Sequence, residues 1–255
     1  MTLSATLSAS IQEKLLGLSR HLGGPLLGIE SSRKITSLCC VGWREGEVLE
    51  LRMDATALPS DVLAETLSTQ LHEAKIPPSA IKAIVVGIGP GSFTGIRVGL
   101  ATAKGLGLGA KIPLYGISSL SALALSAGEG YCAVVLDARQ EEFYTALYHI
   151  DGEGHPEPLI EDGTRSLKDF KEAFGDVMAN RGACSVRVVG DAANALLGEH
   201  IASCVLEVNA GLEPRMAFSI GALEERLRAG DADHLQGLSP RYMRLTAAER
   251  NLKGA

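Results

Sequence analysis

Aromatic side chains are scarce, at 4% of 255 residues with a single Trp, which leaves little material for a stacking platform that would hold single-stranded nucleic acid. Positive charge is not in excess either. Against 30 Asp and Glu stand 24 Lys and Arg, a net charge of −6 that argues against a polyanion binder working alone. The five cysteines, Cys39, Cys40, Cys132, Cys184 and Cys204, never form Cys-x-x-Cys; an odd count without dense spacing suits a reducing compartment and reads as core or surface thiols. Long apolar runs are missing. The longest charge-free stretch, Ile112 to Gly128, is interrupted by Ser, Gly and Pro and is shorter than the about 20 apolar residues that span a bilayer. The N-terminus has no basic segment leading into an apolar stretch with a small-residue cleavage pattern, so a cytoplasmic location is expected.

What is present is enough aliphatic material, 46% hydrophobic against 21% charged residues, for one large or two small α/β domains. Residues 1–24 read as a helical extension. Ser10 with Glu13 forms a capping box, and Ile11, Leu15, Leu18 and Leu22 make one stripe that either its own domain or a partner covers. Strand patterns follow at Leu26–Ser31, Ile35–Gly42 and Glu47–Met53, then a helix opened by Ser60 and Asp61, with Leu63, Leu67 and Leu71 on one face. Ile81–Ile88 is a buried parallel strand, followed by a Gly-rich turn, a long helix to Gly109, a strand at Ile112–Ile117 and a helix at Ser118–Ala127. A weaker second round has a hairpin at Tyr131–Leu136 and Glu142–Ile150, a strand at Pro158–Gly163 and helices at Ser166–Asn180, Asp191–His200 and Pro214–Arg228, with strands Ser185–Gly190 and Cys204–Val208 between them. The expected organisation is therefore two βββαβαβα halves, residues 25–129 and 130–255, with the final helix and tail packing back on the first.

One motif carries chemical information. Gly89-Pro90-Gly91-Ser92-Phe93-Thr94-Gly95 lies between a buried strand and a helix, where Gly89, Gly91 and Gly95 permit close approach and Ser92 and Thr94 offer caps or hydroxyl donors to an anion at the helix N-terminus. The spacing fits neither the Walker A loop nor the dinucleotide fingerprint, and a ligand role and a structural turn stay equally open. In the helix that follows, Gly95, Gly99, Ala103 and Gly107 recur every four residues. Three helical glycines cost about 3 kcal/mol relative to Ala, which close packing must offset, either on the chain's own sheet or on a partner.

Residues Gly89 to Gly99, continuing Ala101-Thr102-Ala103-Lys104-Gly105-Leu106, closely resemble the signature of the TsaB (YeaZ) family of bacterial tRNA threonylcarbamoyladenosine synthesis. Further resemblance lies in Leu26–Ser32, Ile112–Leu120, Leu136–Tyr144 and Pro240–Arg244. It covers about residues 26–244, weakly in the middle of the second half. The resemblance implies the two-lobed fold of the actin, Hsp70 and sugar-kinase (ASKHA) superfamily, built from two RNase H-like domains. It also implies a noncatalytic subunit that binds TsaD through helices of the first lobe, while TsaD transfers the threonylcarbamoyl group from threonylcarbamoyl-AMP to adenosine 37 of ANN-decoding tRNAs and TsaE joins as an ATPase. The expected interface is Leu63, Leu67 and Leu71 with Gly95, Gly99, Ala103 and Gly107; a homodimer through the same helices is compatible, and tRNA is contacted mainly through the complex.

The catalytic paralogue TsaD places a His-x-x-x-His metal pair where this chain has Ser119 and Leu123, neither of which replaces imidazole. The expectation is no catalytic residue, no metal and no cofactor. Glu30 occupies the place where related nucleotide-binding proteins carry Asp, Asp137 and Arg139 read as a turn ion pair, and Val189–Asn194 is a feeble anion site. An alternative is a small ATPase or phosphotransferase working in the interlobe cleft.

Overall fold

The computed structural model describes residues 2–3, 7–43, 47–54, 62–182 and 184–244. The expected helix opening at Ser60 and Asp61 lies outside them. One sheet contains β1 (Thr2–Leu3), β2 (Leu26–Glu30), β3 (Ile35–Trp43), β4 (Glu47–Asp54), β5 (Ala83–Gly87) and β6 (Leu114–Ile117) in the order β1-β4-β3-β2-β5-β6. The second contains β7 (Gly130–Asp137), β8 (Phe143–Ile150), β9 (Pro156–Arg165), β10 (Cys184–Val189) and β11 (Cys204–Asn209) in the order β11-β10-β7-β8-β9. Without β1, both sheets have the same plan: an antiparallel meander of three strands, whose first strand then pairs in parallel with the fourth, which pairs with the fifth. That repeated plan gives the two-lobed α/β arrangement.

Helices fill three layers around the sheets. α2 (Val62–Glu73) and α3 (Phe93–Ala110) cover the outer face of the first sheet, where Leu63, Leu67, Leu71, Leu100 and Ala103 join Leu27, Leu38 and Leu51. α5 (Leu167–Met178) covers the outer face of the second through Phe170, Phe174 and Met178. Between the sheets lie α4 (Ser119–Ala127) and α6 (Met216–Ala222). α4 is apolar on nearly every side and buried from Ser119 to Leu125, as a helix enclosed by two sheets must be. α6 lies on β2 and β3, so close that a Cβ on Gly28 would sit 2.6 Å from the Cβ of Met216. This is how the α6 segment comes back onto the first sheet.

Several local expectations need correction. α1 (Ala9–Leu22) is capped by Ser8, whose Oγ accepts from Ile11 N at 3.4 Å, rather than by Ser10, and its Leu15 and Leu18 are buried on β3, β4 and α6. The helix expected over Asp191–His200 is a single 3-10 turn at Ala193–Leu196, stopped before Gly198 at φ 78°. The Pro214–Arg228 helix breaks at Leu223 (ψ 14°) into α6 and α7 (Glu224–Ala229). No described helix is long and apolar enough to cross a membrane.

Two buried ion pairs bind the α6 region to the first sheet. Arg215, just before α6, meets Glu50 of β4 at 2.5 Å, and its backbone N–H donates to Ser126 Oγ of α4. Arg33 of the β2–β3 turn meets Glu213 at 2.9 Å. Arg215→Met is expected to lower the unfolding free energy by about 3 kcal/mol in urea denaturation, because Glu50 is then buried without its cation. Replacing Glu50 by Leu in the same chain should restore most of that loss.

Candidate functional site

The Gly89–Gly95 loop and the start of α3 lie against the β2–β3 turn, and backbone contacts define the junction. Ser92 caps α3 by accepting from Gly95 N at 3.2 Å, while its own N–H donates to Ser32 O at 2.7 Å. Ser31 Oγ donates to Gly95 O at 2.8 Å. A Cβ on Gly91 would press on Ser32 O at 2.5 Å, and one on Gly95 or Gly99 would collide with Ser31. Thr94 is exposed in the first turn. The chain itself therefore uses part of the anion-binding capacity expected of this loop.

Glu30, at the end of β2, is fully enclosed. Its Oε1 accepts from Ser32 N at 2.6 Å and its Oε2 from Ser119 Oγ at 2.7 Å. Ser119 Oγ also accepts from Gly89 N at 3.0 Å, and Ser119 N donates to Gly89 O at 2.9 Å. Gly87 leaves room for the carboxylate, because a Cβ there would overlap it. Glu30 thus ties the β2–β3 turn, the Gly-rich loop and α4 together, with Leu123 one turn further on in α4 fully buried. Two polar atoms beside this junction are buried without a hydrogen-bond partner, Ser32 Oγ and Arg33 Nη1.

The glycine ridge is inward-facing. Gly99 rests on Ser31 and Ile29, Ala103 is enclosed, and Gly107 lies 3.1 Å, measured from an added Cβ, from Ile112 O and the Leu114 side chain. Leu63, Leu67 and Leu71 are likewise buried on their own sheet. Within the chain these seven residues pack inward: the small ones let α3 approach β2 and the β2–β3 turn, so toward a partner they would support the helices rather than form their exposed face. What is open lies on the other side. A groove of about 730 Å³ runs between α2 and α3, lined among others by Ala64, Ser68, Lys75, Thr102, Gly105 and Leu106, with Leu67 and Leu71 also along it. Cβ atoms on Gly105 and Gly109 would meet nothing within 4 Å, and Leu108 is 72% exposed. Ala101, Gly105 and Gly109 are also spaced by four, so spacing alone did not separate the two faces; the large buried Ile96 and Leu100 flanking Gly99 were the signal that did.

The Pro240–Arg244 segment joins the lobes. Arg241 N donates to Ile88 O at 2.7 Å, and its guanidinium reaches Asp162 of β9 at 2.8 Å. Asp162 also accepts from Ser118 Oγ at 2.5 Å and from Tyr148 Oη. Burial, and then the Asp162 carboxylate, push the Tyr148 hydroxyl well above its usual range, so it stays a donor. Arg244 donates to Arg139 O at 2.9 Å and Gln140 Oε1 at 2.6 Å and pairs with Glu142. These contacts flank a turn in which Arg139, Gln140 and Glu141 stand at left-handed φ of 66°, 57° and 59°, a conformation that costs L-residues about 1–2 kcal/mol each. The expected Asp137–Arg139 pairing is made by the Arg139 backbone N–H, which donates to Asp137 Oδ1 at 2.6 Å, while Asp137 N donates to Asp191 Oδ1 at 2.9 Å. Phe93, Arg97 and Tyr242 form an exposed cluster, with rings 4.8 Å apart and Arg97 Nε donating to Tyr242 Oη at 2.7 Å.

A family model described as TsaD, tRNA N6-adenosine threonylcarbamoyltransferase, matches residues 60–164, the stretch from α2 to β9. The Escherichia coli (strain K12) tRNA threonylcarbamoyladenosine biosynthesis protein TsaB is 44% identical over 78 residues, 29% of this chain and 34% of that protein. Its Haemophilus influenzae counterpart is 46% identical over 123 residues, 47% of this chain and 51% of that one. The matches thus span about half or less of the curated relatives' length. A solved structure of an uncharacterized Pseudomonas aeruginosa protein with similarity to peptidase YEAZ superposes with a TM-score of 0.72 at 23% identity, covering 87% of this chain and 100% of that one, which establishes the shared fold.

The two faces of α3 should respond oppositely to one added methyl group. Gly99→Ala is expected to destabilise the protein by about 1–3 kcal/mol through the clash with Ser31. Gly105→Ala should stabilise it by up to about 1 kcal/mol. Urea denaturation of the two variants reads both, and equal effects would contradict the assignment of faces.

Proposed function

We propose that this chain, which belongs to the TsaB (YeaZ) family, acts in tRNA N6-threonylcarbamoyladenosine synthesis as a noncatalytic subunit that binds TsaD and supports threonylcarbamoyl transfer to adenosine 37. The observation that carries this reading is the open α2–α3 face. Gly105 and Gly109 lower helix stability by about 1 kcal/mol each, and among the described residues nothing comes close enough to use the space they leave. A helix from another polypeptide would use it, since bare backbone there allows close approach, with Leu108 and Leu106 as apolar contacts. TsaD is the partner that the family implies; a second copy of this chain could use the same face when TsaD is absent, and TsaE would join the assembled pair. The noncatalytic role is supported by Ser119 and Leu123, which stand in enclosed positions where TsaD has its metal-binding histidines.

The second reading is an ATP-dependent phosphotransferase, favoured by Ser32 Oγ and Arg33 Nη1, buried and unpartnered beside the Gly89–Gly95 loop. Against it stands Glu30, whose two oxygens accept from Ser32 N and Ser119 Oγ in a closed pocket with no path for hydrated Mg²⁺.

Gly105→Leu and Leu108→Asp are each expected to weaken TsaD binding about tenfold or more, with no loss of thermal stability, and to reduce threonylcarbamoyladenosine formation in a reconstitution with TsaD, TsaE and the intermediate-forming synthetase. Wild-type affinity in both variants would remove the α2–α3 face from the interface. Calorimetric titration of the isolated chain with ATP and Mg²⁺ separates the readings: little or no heat is expected, and tight binding would favour the phosphotransferase.

A further inference from the structure

Cys184 and Cys204 occupy the same rung of the parallel pair β10 and β11, at the first residue of each strand. Directly paired residues on neighbouring strands project to the same face, and strands lie about 4.8 Å apart. That separation falls within the Cα distances of about 4.4–6.8 Å that a disulfide spans. The two sulfurs are already 3.3 Å apart, so bond formation needs rotation at the side chains and no strand movement. β11 is an edge strand, and the neighbouring Ala202, Ser203 and Val205 are exposed, which gives a small oxidant a route to the pair.

We propose that Cys184 and Cys204 form a reversible oxidation site, closed to a disulfide by hydroperoxides and reopened by dithiols. Cys184, the more exposed of the two, attacks first: its thiolate sulfur bonds to one peroxide oxygen, the O–O bond breaks, and the departing hydroxide takes the thiol's proton as water. Cys204 sulfur then attacks the sulfenic sulfur of Cys184, forming S–S as S–O breaks, and water leaves with the Cys204 proton. Two thiols have lost two electrons and two protons, and hydrogen peroxide has become two waters. The order follows from the surroundings of Cys204, where burial, followed by the hydrogen bond with Cys184, pushes the thiol up to about 11 and makes it a poor first nucleophile.

The other thiols lack such a partner. Cys39 and Cys40 are consecutive on β3 and point to opposite faces. Burial raises Cys39 well above the usual thiol range, and both Cys40 and Cys132 to about 12, with Cys132 enclosed in the core between the sheets. These three serve as internal references.

Trypsin, cutting after Arg181, Arg187 and Arg215, releases Cys184 on residues 182–187 and Cys204 on residues 188–215. After treatment of the folded, reduced protein with hydrogen peroxide and blocking of remaining thiols, the digest should contain these two peptides joined, lighter by two hydrogens than their sum, while Cys39, Cys40 and Cys132 stay alkylated. Dithiothreitol should separate them. In C204S, peroxide should leave Cys184 as a sulfenic acid trapped by dimedone, with no crosslinked peptide. Absence of the joined peptides in the wild type, or oxidation spread evenly over the five cysteines, would overturn the proposal.

Discussion

The structure depends on the absence of side chains where α3 meets the β2–β3 turn. Gly91, Gly95 and Gly99 bring the helix backbone against Ser31 and Ser32, and Gly87 makes room for the Glu30 carboxylate. Four strictly local choices then become one junction. Glu30 accepts from Ser32 N and Ser119 Oγ, Ser119 accepts from Gly89, and the ends of β2 and β5 and the start of α4 are fixed with respect to each other. A buried carboxylate without such donors would be strongly unfavourable, so the loop geometry and the acid require each other. The same satisfaction uses part of the loop's anion-binding capacity: the amides of Gly89, Ser92 and Gly95 face the chain's own hydroxyl and carbonyl oxygens.

The relation between the lobes is set by a core that both sheets share and by arginines that fix how it is assembled. Leu26, Cys39, Val41 and Val85 from the first sheet and Val134, Leu136 and Ala146 from the second belong to one apolar cluster with α4 and α6. That burial supplies most of the free energy, since ion pairs roughly offset their own desolvation. Arg33 with Glu213 and Arg215 with Glu50 are buried, so a mispaired arrangement would strand a charge and they act mainly on specificity. Arg241 is half-exposed, yet its partner Asp162 is enclosed and also holds Ser118 and Tyr148, so this contact joins the C-terminal segment to both lobes at once. Arg244 goes further, meeting Arg139, Gln140 and Glu142 around a turn of three consecutive left-handed residues that Asp137 also supports locally.

Much of this plan was legible from periodicity. The continuous apolar run of β5, the period-two meander of β2 to β4 and the capped apolar segment of α4 all declare themselves locally, and their order reads as the repeated lobe. Tertiary facts were not legible. The 3-10 turn at Ala193–Leu196 has helix-forming residues, but the chain leaves helical geometry at Leu197 (φ −66°, ψ 125°) and turns at Gly198 (φ 78°). The cap of α1 moved from Ser10 to Ser8 because either serine can cap, and the start of the helix is set by what it packs on. Glu30, which stands where related nucleotide-binding proteins carry Asp, carries no mark of its burial in the sequence, and the donors that enclose it, Ser32 and Ser119, are far apart in the chain. The pairing of Cys184 with Cys204 was hidden for the same reason, as strand register is long-range information.

The helix α3 also shows how far a small-residue pattern can be taken. Glycine recurs on both of its faces, and one spacing rule describes both. Inward, Gly95, Gly99 and Gly107 are explained by the atoms a Cβ would strike; outward, Gly105 and Gly109 meet nothing within 4 Å among the described residues. A residue that weakens a helix needs an offsetting contact somewhere, and where the folded chain provides none the contact is sought outside it. Burial alone would have pointed the other way, because the inward glycines are the ones surrounded by neighbours. Among the described residues, the positions on this helix whose local cost meets no return are Gly105, which lines the groove shared with α2, and Gly109 near the helix end.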